Sequence, residues 1–142
     1  MSTLSAALAA SASALTAERT RVEVAVSNLA NSESTRGADG QPYRRRDVIL
    51  TSDPTSSFDA TLGRAQATGV KVASIVEDQA PFRTRYEPSH PDADENGFVK
   101  LPNVDAPEEM VNMLGAARAY QANLAAIGLI KEMVNKALEL GK

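Results

Sequence analysis

The sequence predicts an α+β fold in which long N- and C-terminal helices pack as a coiled-coil-like pair, with a small, mainly antiparallel β insert between them. Apolar residues recur at alternating spacings of three and four near both ends of the chain, and short β-branched runs occupy the middle. These two periods are typical of helices and strands. The predicted division is 1–32 for the N-terminal helix, 33–104 for the β-rich and loop insert, and 105–142 for the C-terminal helix.

The N-terminal helix is predicted from a narrow apolar seam. Ala fills much of this segment, and the large apolar residues of the seam are Leu4, Leu8, Leu15, Val22 and Leu29. The alternation of three and four residues includes the intervening positions Ser11, Glu18 and Ala25. Ala is the best helix former, and the alternating spacing places the seam along one side of a helix. The polar run NSESTRGADG that follows predicts the end of the helix.

The C-terminal helix is predicted to begin just after Asp105, which is placed to act as its N-cap. Pro107 suits the first helical turn, and the carboxylates of Glu108 and Glu109 complement the positive end of the helix dipole. Such a helix is about 50 Å long and needs a partner helix along most of its length. Its apolar stripe consists of Met110, Met113, Ala117, Tyr120, Leu124, Ile127, Val134 and Leu138. Lys131, between Ile127 and Val134, is the only charged residue in the same pattern.

Short strands are predicted between the two helices. RDVILTS and VKVASIV are β-branched runs, and PFRTRYEP alternates so that Phe82, Thr84 and Tyr86 are expected on the buried side of a strand. The run GFVKL is placed to pair antiparallel with that strand. The segment Pro54–Ser57 marks a further loop.

The composition limits both the core and the chemistry of the chain. With 3 Phe, 3 Tyr and no Trp, a large self-sufficient core is not expected, and much of the apolar surface is predicted to meet partner chains. The absence of Cys removes disulfides, thiolate zinc sites and thiol catalysis. The net charge is −3, and the basic cluster Arg44–Arg46 is interpreted as a solvated segment beside a strand rather than as a nucleic-acid contact.

The N-terminal segment does not fit a cleaved secretory signal, although Ala10–Ala12 mimics a cleavage site. No Lys or Arg precedes Arg19, and Ala and Ser dilute the first apolar stretch. A membrane-spanning helix is not predicted either, because no run approaches the roughly 18 consecutive apolar residues that such a helix requires.

The stretch PDADENGFVKLPN, Pro91–Asn103, contains the start of a calcium-binding loop, with Asp92–Gly97 at the required offsets. The twelfth loop position is Asn103, which cannot supply the bidentate carboxylate, and nearby prolines exclude the flanking helices. A structural turn rich in Asp, Asn and Gly is therefore favoured. A secreted calcium-binding module that uses the Asp92–Gly97 loop is the alternative.

An enzyme is not predicted. His90 is the only histidine, and the sequence contains no nucleophile elbow, phosphate-binding glycine motif or cluster of metal ligands. An enzyme built around His90 is the third hypothesis. No catalytic residue, metal, cofactor, small-molecule substrate or nucleic-acid partner is assigned.

Four segments of the chain carry a family resemblance. SNLANSESTRG (27–37), GQPYRRRDV (40–48), YEPSHPDADENGFVKLPNV (86–104) and EEMVNMLGAARAYQANLAAI (108–127) resemble, in this order, the bacterial flagellar basal-body rod proteins. The last two segments are most similar to the proximal-rod subfamily, and TRGADGQPY stands where many axial proteins have TPGY. The residues that carry the family motifs are Asn28, Leu29, Ala30, Asn31, Pro91, Asp92, Asp94, Gly97, Pro102 and Asn103.

The resemblance implies a structural rod subunit that serves motility and is exported by the flagellar type III apparatus without a cleaved signal. Its implied location is the basal-body rod that crosses the periplasm. The implied partners are other rod subunits, copies of the chain itself, the inner-membrane ring and the export apparatus. The terminal helices are implied to pair in the inner tube of the assembly, so the candidate assembly interface is Leu4, Leu8, Leu15, Val22, Leu29, Met110, Met113, Ala117, Tyr120, Leu124, Ile127, Val134 and Leu138.

Overall fold

A computed structural model of the chain describes residues 3–37, 39–53 and 68–140. The elements, in chain order, are α1 Thr3–Ala30, β1 Arg46–Asp53, β2 Gly69–Glu77, β3 Arg83–Tyr86, β4 Phe98–Leu101 and α2 Ala106–Leu140. Two long terminal helices with a small β insert between them confirm the predicted α+β fold. The loop predicted at Pro54–Ser57 lies outside the described residues.

The helix α1 is covered over much of its circumference. The predicted seam residues Leu4, Leu8, Leu15, Val22 and Leu29 are all half-buried. Polar residues within the helix satisfy their hydroxyl groups locally: Ser13 Oγ donates to the carbonyl oxygen of Ala10 at 2.8 Å, and Thr20 Oγ1 donates to that of Thr16 at 3.2 Å.

The helix α2 begins where the sequence predicts. The carbonyl oxygen of Asp105 accepts the backbone N–H of Glu109 at 3.0 Å, which is the first intrahelical bond that an N-cap residue makes. With 35 residues, α2 is about 50 Å long. Its buried positions are Glu109 and Ala116, each one residue before a member of the predicted apolar stripe. The half-buried positions beyond the first turn are Asn112, Met113, Ala117, Ala119, Asn123, Ala126, Ile127 and Ile130. All residues from Lys131 to Leu140 are exposed.

The insert consists of two 2-stranded sheets, β1–β2 and β3–β4. Arg46 lies 3.7 Å from Glu77 at one end of the first sheet, and Lys71 lies 3.3 Å from Asp53 at the other, as an antiparallel pair requires. In the second sheet the antiparallel register pairs Arg83 with Leu101 and Tyr86 with Phe98.

The prediction that Thr84 and Tyr86 lie on a buried side of β3 is wrong. Thr84 and Tyr86 are exposed, and Phe98 and Lys100, their partners on β4, are exposed with them. The buried side of the sheet instead carries Val99 and Leu101, opposite the two arginines of β3. Arginine can cover apolar surface with its aliphatic stem while its charged end bonds elsewhere, and Arg83 donates to the carbonyl oxygen of Val104 at 2.7 Å. Phe82 lies just before the strand and is half-buried.

The described residues form two compact units, each built from parts of both terminal helices. The first contains residues 3–20, 49–53, 68–74 and 115–140, and the second contains residues 21–37, 39–48 and 75–114. Within the first, Ser13 Oγ accepts the backbone N–H of Val70 at 3.0 Å, and a Cβ on Gly69 would lie only 2.9 Å from that oxygen. Within the second, the core contains Ala25, Val99, Leu101, Pro102 and Val104. The predicted three-part division of the chain stays a prediction.

Gly97 closes the loop before β4 and is required there by its backbone. Its φ is +81°, which is rarely adopted by residues with a side chain, and an added Cβ would lie 3.0 Å from Tyr86 Cε2 and 3.1 Å from Pro88 Cβ.

We therefore expect Gly97→Ala to lower the free energy of unfolding by about 1–3 kcal/mol, because the substitution combines backbone strain with a close contact. Urea unfolding followed by circular dichroism measures it. Gly128→Ala is the matched control, because a Cβ on this helical glycine meets nothing within 4 Å. The control should stabilise α2 by about 0.5–1 kcal/mol, so equal effects of the two substitutions would contradict the account.

Candidate assembly site

The side chain of Asn28, near the end of α1, is a buried and fully hydrogen-bonded polar group of the second unit. It is 1% exposed. Its Nδ2 donates to the carbonyl oxygen of Arg46 at 2.8 Å and to Glu109 Oε2 at 3.0 Å. Its Oδ1 accepts the backbone N–H of Arg46 and the hydroxyl of Tyr43, both at 2.9 Å. A side-chain amide has two donors and two acceptor lone pairs, so every hydrogen-bonding position of Asn28 is occupied.

The bonds to Arg46 have the form of a strand contact. The amide of Asn28 engages both backbone groups of that residue, as a neighbouring strand would at the edge of β1. The Asn28 side chain therefore pairs with both backbone groups of Arg46, the first residue of β1, in place of a neighbouring strand.

Glu109, in the first turn of α2, is the buried acid of this site. It is 2% exposed, and its carboxylate accepts one bond from Asn28 and one from Arg45 Nε, the latter at 2.6 Å. Sequence reasoning assigned Glu109 to the helix dipole, and the structure adds this second role. A buried carboxylate without such partners is strongly destabilising, so Glu109 joins α2 to both α1 and the start of β1.

Arg45 is held between several carboxylates. Besides Glu109, its guanidinium contacts Asp47 at 2.6 Å and lies 3.6 Å from Glu108. Burial by itself lowers the pKa of Arg45, but the hydrogen bond with Glu109 and the charges of the surrounding carboxylates outweigh it, so the pKa is raised above the usual value for arginine. The guanidinium therefore stays charged. The prediction of a solvated basic cluster is wrong for Arg45, whose side chain is only 13% exposed.

Asn103 bonds the other side of the same segment. Its Oδ1 accepts the backbone N–H of Arg45 at 2.9 Å, and its Nδ2 donates to the carbonyl oxygen of Asp78 at 3.2 Å. We name Asn28, Arg45, Asn103 and Glu109 the polar clamp. Two of its members, Asn28 and Asn103, are family-motif residues that the sequence singled out. Their bonds could not be assigned beforehand, because they join residues far apart in the chain.

Two acidic side chains of the loop Pro91–Gly97, those of Asp92 and Asp94, form bonds within the chain. Asp92 accepts Thr35 Oγ1 at 2.8 Å and pairs with Arg36 at 3.0 Å. Asp94 Oδ1 accepts the backbone N–H groups of Asn96 and Phe98 at 2.9 and 2.8 Å. The calcium-binding alternative is not supported: within residues 3–37, 39–53 and 68–140, no group of three or more His, Cys, Asp or Glu side chains is placed to hold a metal ion. His90 also serves the turn, since its Nδ1 accepts the backbone N–H of Asp92 at 3.0 Å.

The remaining motif residues take ordinary structural positions. Asn31 continues the end of α1, with its Nδ2 donating to the carbonyl oxygen of Ser27 at 2.8 Å, and Ala30 beside it is exposed. Pro102 is fully buried next to Asn103, whereas Pro91 is exposed.

The candidate interface residues of α2 divide between two environments. Met113, Ala117 and Ile127 are half-buried, whereas five are exposed: Met110, Tyr120, Leu124, Val134 and Leu138. Sequence reasoning missed further exposed apolar residues of this helix outside the single stripe, namely Val111, Leu114, Leu129 and Leu140. A helix that is apolar on several faces is typically covered on several faces. The apolar residues outside the stripe were therefore the sequence signal for a wider interaction surface. Extended exposed apolar surface marks an interaction site.

None of the helices in the described part of the chain is both long and apolar enough to cross a membrane.

Comparison with known proteins gives matches at both ends of the chain. Residues 95–140 match the family model described as flagellar basal body rod FlgEFG protein C-terminal, and residues 8–38 match the model for flagella basal body rod protein. The chain is 50% identical over 130 residues to the flagellar basal-body rod protein FlgC of Salmonella typhimurium, covering 92% of each chain. It is 44% identical over 142 residues to FlgC of Bacillus subtilis, covering 93% of this chain and 94% of the relative. It is 40% identical over 136 residues to FlgC of Borreliella burgdorferi, covering 89% and 90%.

We expect Asn28→Asp to reduce the free energy of unfolding by about 3 kcal/mol, because a carboxylate would replace an amide donor that faces the carboxylate of Glu109. Urea unfolding of the purified chain measures the loss. Asn96→Asp is the control, since Asn96 is exposed and should change stability by less than about 0.5 kcal/mol. A loss at Asn28 no larger than that at Asn96 would show that the polar clamp is not important for stability.

Proposed function

Because the chain belongs to the flagellar basal-body rod proteins of the FlgC type, we propose that it joins the rod through the apolar surfaces of its terminal helices. The chain is a structural subunit of the bacterial flagellar basal-body rod, and it assembles with other rod proteins and with copies of itself. What is proposed is the surface that makes these contacts. We also infer a non-enzymatic role, since Asp92, Asp94, Glu109 and His90 are engaged in hydrogen bonds that hold the fold.

The observation that carries the proposal is the exposure of α2 beyond residue 130. Every residue from Lys131 to Leu140 is exposed, and Met133, Leu138 and Leu140 are 58%, 66% and 90% exposed. A helix gains most of its stability from packing an apolar face against other residues. The apolar residues of this segment are not packed against other parts of the described chain. Neighbouring rod subunits would supply that cover.

The second half of the proposed surface is the seam of α1. Its residues Leu4, Leu8, Leu15, Val22 and Leu29 are only half-buried in the single chain, so each retains apolar surface for a neighbour. Burying a leucine fully contributes about 1.5–3 kcal/mol relative to leaving it exposed. A repeating assembly that completes the burial of several such residues is therefore favoured over the free subunit.

We propose further that the chain belongs to the proximal rod and reaches it through the flagellar export apparatus. It would contact the inner-membrane ring and remain in the periplasmic part of the rod. The family resemblance supports these partners. The composition of the first residues supports export without cleavage, because no Lys or Arg precedes Arg19 and Ala and Ser dilute the apolar stretch.

Leu124→Asp should block incorporation of the chain into rods, because it places an unpaired charge in a surface that assembly removes from water. Leu124 is 54% exposed in the single chain, so the free subunit should lose less than about 1 kcal/mol of stability. Immunoblotting of isolated basal bodies, together with a motility assay, measures incorporation. Gln121→Asp has the same helix propensity cost at an exposed position and is the control. Normal motility of the Leu124 variant would refute the proposed surface.

Ile127→Asp should block incorporation as well, with a larger loss of subunit stability because Ile127 is half-buried.

The intact mass of the chain recovered from basal bodies tests the proposed route. We expect a mass that still includes Leu4 and Leu8, because the N-terminal segment lacks the charged start and the apolar centre of a cleaved signal. A chain shortened to a start beyond Ala12 would contradict export without cleavage, although it would leave the structural role of the rest of the chain unchanged.

A further inference from the structure

The second unit contains an open cleft of about 550 Å³ lined by three arginines and two aromatic rings. These residues are Arg36, Tyr43, Arg44, Arg46 and Phe82, and we name them the arginine cleft. The proposed packing of the terminal helices makes no use of it.

Two of the arginines are held against rings. The guanidinium carbon of Arg44 lies 4.4 Å from the centroid of Phe82, and that of Arg46 lies 5.6 Å from the centroid of Tyr43. Arg44 also donates to the carbonyl oxygen of Asp78 at 3.2 Å. A guanidinium stacked on a ring keeps its in-plane N–H groups available for a carboxylate, which makes stacked arginines common at protein interfaces.

The cleft has more positive than negative charge. Its lining contains two carboxylates, those of Asp39 and Glu77, against the three arginines. Two of the arginines already have a carboxylate nearby: Arg46 lies 3.7 Å from Glu77, and Arg36 lies 3.0 Å from Asp92, just outside the lining. Their side chains are 50% and 67% exposed, and ion pairs this open contribute little. The charge therefore favours an acidic partner.

The same unit presents an acidic group of the required kind. Glu95 is exposed at the tip of the Pro91–Gly97 loop, and in the part of the chain that the structure describes nothing forms a hydrogen bond or ion pair with its side chain. The loop itself is rigid, because Asp94 bonds two backbone N–H groups and Gly97 fixes the return to β4. A rigid tip loses little conformational entropy on docking.

We propose that the loop tip carrying Asp94 and Glu95 in one copy of the chain docks in the arginine cleft of a second copy. Tip and cleft are different surfaces of one chain, so the contact is head-to-tail and repeats from copy to copy, as a ring or helical assembly requires. The inference rests on the proposed function, and it adds a specific charged contact to the apolar packing of the helices.

The absence of Cys in the chain allows a direct test. Arg46→Cys and Glu95→Cys are made in separate copies, co-expressed in the flagellated host, and treated with a short bis-maleimide in isolated basal bodies. We expect a crosslinked dimer when both variants are present, and none from either variant alone. Replacing the Glu95 variant with Thr84→Cys, an exposed position on β3, is the matched control and should give no dimer.

Charge reversal gives an independent measurement. Arg46→Glu and Glu95→Arg should each lower incorporation into basal bodies by about tenfold, because each places like charges together in the contact. The chain carrying both substitutions should recover most of the loss. The backbone of Arg46, not its side chain, bonds Asn28, so folding should be retained.

Two results would overturn this inference while leaving the rod function intact. One is basal bodies that contain both cysteine variants without a crosslink, and the other is a crosslink from Glu95→Cys to a different rod protein. Complete absence of the unmodified chain from basal bodies would instead contradict the rod function itself.

Discussion

The described fold depends most on the four hydrogen bonds of one buried amide. Asn28 joins the end of α1 to the backbone at the start of β1, to Tyr43 and to the first turn of α2, and no hydrogen-bonding position of its side chain is left over. Leaving a buried donor or acceptor without its partner costs about 1–3 kcal/mol. The amide is therefore stable in this environment only when all its partners are in place together. Glu109 extends the constraint to Arg45, and Asn103 applies it from the other side of the same segment.

This arrangement separates the interactions that specify the subunit from those that build the assembly. Polar bonds and small residues account for much of the packing within the chain: the covered face of α2 includes Ala116, Ala119 and Ala126. Large apolar residues of the same helix, such as Leu129 and Leu138, are exposed at 62% and 66%. A subunit designed to fold alone would place these residues inside. Their exposure is explained if neighbouring subunits bury them, as expected for a rod protein whose core is completed by assembly.

Sequence reasoning succeeded where the signal is local. The start of α2 at Ala106 follows from Asp105 and Pro107, and the pairing of β3 with β4 follows from the turn residues between them. It failed on the burial of β3, because all four residues of this strand are exposed and the buried residues of the sheet, Val99 and Leu101, lie on β4. The polar clamp could not be predicted from the sequence, for a different reason. Its Asn28–Glu109 bond joins residues 81 positions apart, and no local pattern distinguishes a buried glutamate from one that serves only the helix dipole.

The central claim is that rod assembly covers the apolar surface of α2. The most direct test is the rate at which hydrogen peroxide oxidises Met133, measured by mass spectrometry in the free subunit and in intact basal bodies. Met133 is 58% exposed in the single chain, and oxidation of methionine follows exposure. The account predicts rapid oxidation in the free subunit and oxidation at least about tenfold slower in the rod, since burying the thioether within a close-packed helix interface excludes the oxidant. Equal rates in the two states would contradict it.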